Sequence, residues 1–380
     1  MLVNKLQRIY RSYYSQTIHG LMMLRNRHIN RHIVVFESDD WGSIRMPSIE
    51  TLLGLQRRGI CFCTELGYDK VDTLASNDDL ELLMGVLSSV KDSMGNPAKL
   101  TMNCVTANPD FEKIRQSGYK EYYYEPFTET LKKYPNHDQS FELLKDGIRH
   151  GVFMPQFHGR EHLNVLQWLR LLQTNNQNVL DCFEEKMFSM QVMENGSKHD
   201  VLAAFNAETL QDIEFLKQSI DEGLEMFYNL FGFNSLSMIA PCYTWDSFIE
   251  DVSYKHGVKL IQGGYIQKHS AIERSKGNRV TGHFMGEKNG NGQIYTIRNC
   301  VYEPSQNTRF NSEYCFRGIQ KAFSNHLPAV VSCHRLNFIG TLNSSNRDNN
   351  LLDFGRLLKK IVEKYPDVEF LSSDQCIDLF

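Results

Sequence analysis

The sequence predicts an α/β fold, a distorted (β/α) barrel of about seven parallel strands with insertions. Three observations lead there. Short apolar runs recur along the 380-residue chain, amphipathic helical patterns separate them, and the residues with chemistry to offer directly follow the runs. Runs this short suit strands buried on both faces. Their alternation with helices is the grammar of a parallel sheet. Active sites of barrels are built at the C-terminal ends of strands. A doubly wound open sheet satisfies the alternation as well, but seven runs that each end in polar residues favour the barrel.

Residues 1–31 carry Lys5, Arg8, Arg11, Arg25, Arg27 and Arg31 and no acid, with apolar residues such as Leu6, Ile9, Tyr13 and Leu21 between them. This reads as an amphipathic helix that either packs on the domain or attaches weakly to an anionic membrane surface. The expected division is therefore 1–32 as an N-terminal helical segment and 33–380 as the barrel. The first run, 33–36, precedes Glu-Ser-Asp-Asp; the next, 100–105, precedes Thr-Ala-Asn; the third, 152–157, precedes His-Gly-Arg-Glu-His. Then come 236–240, 258–261, 329–333 before His-Arg, and 368–371 before Ser-Ser-Asp. Helical periodicity covers 138–150, 208–231, 246–256, 312–326 and 350–365. Gly232 follows the second of these and Pro366 the last, both apt stops. Two stretches fit the barrel poorly and are expected to be insertions, near 175–206 and 267–308. In the second, 280–285 and 293–301 flank a Gly-rich segment and suggest a β-hairpin.

The formal net charge of -4 leaves no global basic surface for nucleic acid. The nine cysteines are odd in number and mostly lie in apolar runs, as buried thiols in a reducing compartment do. No apolar stretch reaches the length of a membrane span, and the N-terminus lacks the apolar core and cleavage site of a secretory signal. A cytoplasmic location, or one peripheral to the inner membrane, is the expectation.

Asp39 and Asp40 follow the first strand. Adjacent carboxylates are costly to bury unless a cation or a shared proton intervenes; a solvated turn is the plain alternative. His158 and His162 follow the third strand. Histidines four apart share one face of a helical turn and reach one metal; the alternative is two unrelated rings. With Asp40 they make a carboxylate and two imidazoles, which leaves open positions for water and substrate. A mixed oxygen and nitrogen set suits a divalent ion, zinc first, with cobalt, nickel, manganese and iron also accepted. His334, after the sixth strand, is either a satisfied core histidine or a general acid at the same mouth.

This set resembles the polysaccharide deacetylases (NodB-like, carbohydrate esterase family 4). Their Thr-Phe-Asp-Asp motif is matched by Glu37-Ser38-Asp39-Asp40, their His-x-x-x-His by His158 and His162, and a late Leu-x-x-His by Val331-Ser332-Cys333-His334. The likeness spans roughly 33–375, and its specificity lies in the combination. It implies Asp39 as general base, Asp40, His158 and His162 as metal ligands, and His334 as general acid, acting together on an acetylated saccharide or saccharide precursor. The family's Arg-x-Pro motif, whose arginine contacts the catalytic aspartate, is here Ile239-Ala240-Pro241. A substitute guanidinium is expected from Arg45, Arg160, Arg298 or Arg335. Trp41, Arg45, Arg160, Tyr243, Trp245 and Arg335 are candidates for the substrate wall, although Trp41, Tyr243 and Trp245 suit a core equally.

Two other readings compete. His158-Gly-Arg-Glu-His162 also matches the inverzincin protease signature, with Glu161 as base; Gly159 would then sit inside the zinc helix at a cost of about 1 kcal/mol. A barrel that binds a glycan without hydrolysing it is the second.

Overall fold

Nine short strands form one all-parallel sheet among the described residues. Seven are the expected runs: β1 (Ile33–Trp41), β2 (Leu100–Cys104), β3 (Phe153–Phe157), β4 (Ser237–Ile239), β5 (Leu260–Gly263), β8 (Ala329–His334) and β9 (Glu369–Leu371). The other two, β6 (Ile294–Ile297) and β7 (Cys300–Val301), come from the stretch expected as a hairpin arm. The order is β6-β5-β4-β3-β2-β1-β8-β7, and β9 also pairs with β1. This computed structural model describes residues 17–18, 20–60, 68–188, 192–194, 197–199 and 201–380, with the backbone alone at residue 69 and in the 192–194 and 197–199 strands.

The expected hairpin is corrected. Val280–Gly282 runs antiparallel to Ile266–Lys268, whereas β6 runs parallel to β5 and β7 to β8. The reason is burial: every residue of Ile294–Ile297 is buried, which a sheet position shields on both faces and an exposed hairpin does not. Between these two strands, the Arg298 N–H donates to the Gly263 carbonyl (2.8 Å) and the Asn299 N–H to the Val330 carbonyl (3.0 Å). One continuous segment thus bridges β5 to β8 and closes the ring.

β1 is the hub. Its first residues pair with β9, its later ones with β2, and Val34 to Asp39 on the opposite edge with β8. The β1–β8 register sets Asp39 opposite His334. All nine β1 residues are buried, including Glu37, Ser38, Asp39 and Asp40, so the barrel interior must supply partners for three carboxylates.

Helices cover the barrel. Leu210–Phe231 starts at a Thr209–Asp212 capping box and stops at Gly232, whose φ of 80° is the left-handed C-terminal cap expected there. Ser140–Arg149, Ser247–Lys255 and Ser312–Ser324 fall where periodicity put them; the last long helix begins earlier than expected, as Ser344–Lys364. The 175–206 stretch holds a helix, Gln177–Glu184, and a small hairpin of Val192–Glu194 with Ser197–His199. Cys104, Cys300, Cys315, Cys333 and Cys376 are buried thiols.

Most of the basic N-terminal segment, expected as a helix, lies outside the described residues. In its described part, Met22, Met23 and Ile29 pack on an apolar cluster with Tyr265 and Met285, and the Arg25 guanidinium lies 4.4 Å from the Phe284 ring centroid. Leu21 and Leu24 remain exposed. Among the described residues no helix is long and apolar enough to cross a membrane.

Candidate metal centre

Asp40 sits where β1 slips register against β2, between Ser38 and Trp41. Its φ of 76° is left-handed, a conformation that costs a non-glycine residue about 1–3 kcal/mol and persists only where the surroundings enforce it. This bulge separates the two carboxylates: Asp39 turns to Arg298 and Asn103, Asp40 to the histidines.

His158 leaves the end of β3 and His162 follows within a loop. The expected helical turn is not there: 158–164 is non-helical and Gly159 has a φ of 101°. The loop still brings the two rings to a centroid separation of 4.9 Å. His158 Nε2 lies 3.6 Å and His162 Nε2 3.3 Å from Asp40 Oδ1. Two ligand atoms on one tetrahedral zinc stand about 3.4 Å apart, so this spacing fits a shared ion. His158 Nδ1 donates to the Ile239 carbonyl (2.9 Å), which fixes the tautomer and leaves the Nε2 lone pair pointing inward. Asp40 Oδ1 and His158 Nε2 are buried without a hydrogen-bond partner. Two buried acceptors without partners that face each other are a place a cation could satisfy. Burial lowers the His162 pKa to about 3, so its ring is neutral and able to ligate. Burial opposes ionisation of Asp40, but the Arg45 guanidinium outweighs it and holds the carboxyl well below its usual range.

Asp39 is gripped differently. Arg298 donates from both terminal nitrogens, to Oδ2 at 2.6 Å and Oδ1 at 2.7 Å, and Asn103 Nδ2 donates to Oδ1 at 2.8 Å. Arg298 Nε also binds Glu37 (2.7 Å). Of the four guanidiniums expected to replace the missing arginine, Arg298 is the one on Asp39; it comes from the β6–β7 segment. Burial pushes the Asp39 pKa up, the Arg298 charge pulls it further down, and it rests at about 2.

His334 Nε2 is 3.8 Å from Asp39 Oδ2, and its Nδ1 is bound to Glu303. Asn337 Nδ2 donates to the other Glu303 oxygen (2.9 Å). Burial works against the imidazolium, yet the Glu303 carboxylate raises its pKa to about 9. The Tyr68 ring stands edge-on to His334 at 5.6 Å. Tyr243 is half-buried, with its hydroxyl 3.4 Å from Arg298 Nη1.

Five expected wall residues are corrected. Trp41 is in the core and donates to Ser38 Oγ (3.0 Å); Trp245 is in the core and donates to Glu250 (2.8 Å). Arg160 is buried between Glu161 and Glu222, its guanidinium 4.1 Å from the Tyr124 ring centroid. Arg335 is fully buried on Asp72 (2.9 Å). Each is consumed by its own partners, because burial of an indole N–H or a guanidinium demands one. Arg45 is also buried, on Asp40 and Asp72. Glu161 accepts from Arg160 Nε at 2.7 Å in a non-helical loop, which removes both the base and the helix that the protease signature needs.

Glu303 and Asn103 were not singled out from sequence, and Glu37 entered only as part of a motif, without a role. Glu303 follows β7, so placing 293–301 in the parallel sheet rather than in a hairpin would have put it at a strand end like the other site residues.

No protein-family profile matches the chain, and no curated protein does. Solved structures do resemble it in fold. A probable polysaccharide deacetylase from Pseudomonas aeruginosa PAO1 aligns at 10% identity and a TM-score of 0.44, over 92% of this chain and 90% of that one. A CE4 family pseudoenzyme from Bacillus anthracis aligns at 8% identity and TM-score 0.39, over 92% and 67%. A 4-alpha-glucanotransferase from Thermococcus litoralis aligns at 9% identity and TM-score 0.43, over 93% of this chain, which spans only 41% of that protein.

Proposed function

We propose that this chain is a metal-dependent deacetylase of acetylated saccharides or saccharide precursors. The observation that carries the reading is the convergence of Asp40, His158 and His162 on one buried point, with Asp39 and His334 side by side at its edge. A divalent ion held by those three ligands would polarise the acetyl carbonyl and acidify a water beside it. Asp39, held ionised by Arg298, is oriented to accept the proton of the attacking water. His334, kept protonated by Glu303, donates a proton to the departing amine or alkoxide. Asn103 and Arg298 fix the Asp39 carboxylate so that no reorientation is needed as the proton moves.

Zinc is the favoured ion; cobalt, nickel, manganese and iron suit the same donors. The test is acetate release from N-acetylated chito-oligosaccharides and O-acetylated xylo-oligosaccharides, alongside metal content of the purified chain. The expected outcome is about one metal per chain and acetate release that His158→Ala abolishes together with the metal. Metal without acetate release from any acetylated saccharide would turn the reading into a glycan-binding barrel; no metal uptake would end it.

A further inference from the structure

The metal carboxylate already has a cation of its own. Arg45 Nη2 lies 3.2 Å from Asp40 Oδ1, the same oxygen that faces both histidines. The Arg45 side chain is 2% exposed, and its Nη1 is tied to Ser43 Oγ (2.8 Å) and the Ile44 carbonyl (3.2 Å). Its Nε faces Asp72 Oδ2 at 3.5 Å without a hydrogen bond. Asp72 in turn is held by Arg335. The result is a buried chain of alternating charge, Asp40–Arg45–Asp72–Arg335, that ends on the proposed ligand.

We infer that Arg45 is a positioning residue that competes with the metal for Asp40, neutralising the carboxylate in the metal-free chain and limiting metal affinity in the loaded one. This rests on the deacetylase reading of the site. Two charges a few ångströms apart in a protein interior interact far more strongly than in water, so a guanidinium beside the sole anionic ligand must weaken the hold on an incoming divalent ion. It also removes the penalty that an unpaired buried Asp40 would carry without metal. Asp72 moderates the competition by sharing the Arg45 charge. A metal held less tightly keeps more of its charge for the substrate carbonyl, which gives the arrangement a use.

The test is zinc affinity of the full chain by chelator competition, with melting temperature in zinc and in EDTA, for wild type, Arg45→Gln, Arg45→Lys and Asp72→Asn. Arg45→Gln is expected to bind zinc at least about tenfold tighter and to melt lower than wild type in EDTA. Arg45→Lys should restore both values towards wild type. Asp72→Asn, which leaves the full Arg45 charge on Asp40, should bind zinc more weakly. A merely structural role predicts weaker binding for every variant. Folded Arg45→Gln with unchanged or weaker zinc affinity overturns the inference; if that variant does not fold in EDTA, undiminished zinc affinity in Asp72→Asn overturns it instead. Wild type that binds none of the five candidate metals sinks the deacetylase reading itself, a separate result.

Discussion

At the scale of single residues, two carboxylates adjacent in sequence do different work because their surroundings differ. Asp39→Asn should lower kcat by about 10²–10⁴-fold, the usual worth of a general base, and leave bound zinc in place; loss of the zinc would mean Asp39 is a ligand. His334 supplies a pH signature. With its pKa raised to about 9 by Glu303, kcat/KM should fall as pH rises through about 9. Glu303→Gln should move that limb down towards the ordinary histidine range, and an unmoved limb would remove His334 from the proton path. The same shift links to stability. A histidine raised above its unfolded value contributes fully below about pH 6.5 and loses that contribution as pH rises through about 9. Urea unfolding of wild type and Glu303→Gln at pH 6 and pH 10 measures it: the gap between them should close at the higher pH. Asp40, His158 and His162 were named together from residue type and spacing, and the fold brings them to one point; the roles of Asp39 and His334 came from the family resemblance. The fate of Trp41, Trp245, Arg160 and Arg335 was not, since a stacking wall and a buried partner use the same side chains.

At the scale of elements, the His158–His162 loop and the β6–β7 segment decide the site. The loop replaces the expected helical turn, and Gly159 makes it: at φ 101° an added Cβ would lie 2.9 Å from the Glu161 carbonyl oxygen. Gly159→Ala should therefore cost about 1–3 kcal/mol of stability and weaken zinc binding, read by thermal melts and chelator competition; an unperturbed variant would show the loop tolerates another path. The β6–β7 segment closes the ring and delivers Arg298. Arg298→Ala leaves Glu37 and Asp39 buried without their counter-charge, and should destabilise the chain by about 3–5 kcal/mol in denaturant unfolding. Arg298→Met that unfolds like wild type would show the guanidinium to be dispensable for the fold.

At the scale of the molecule, nine strands and their covering helices put every proposed catalytic group at one mouth of the barrel, although the groups come from opposite ends of the sequence. Asp39 and His334, 295 positions apart by number, are direct register partners of β1 and β8. Zinc should stabilise the whole domain by mass action, by about 2.7 kcal/mol at a hundredfold excess over Kd, and EDTA should reverse it; a melting temperature indifferent to both would place the ion elsewhere or nowhere. The alternation of short apolar runs with amphipathic helices was enough to read a parallel barrel, and residues at the ends of those runs were enough to read a candidate metal site, because burial and ligand chemistry leave local marks. Which arginine would reach Asp39, that Arg45 would take Asp40, and that 293–301 would close the ring were left to the folded chain. Each depends on which distant segment lands beside a buried charge, and neither hydrophobic period nor residue spacing records that distance.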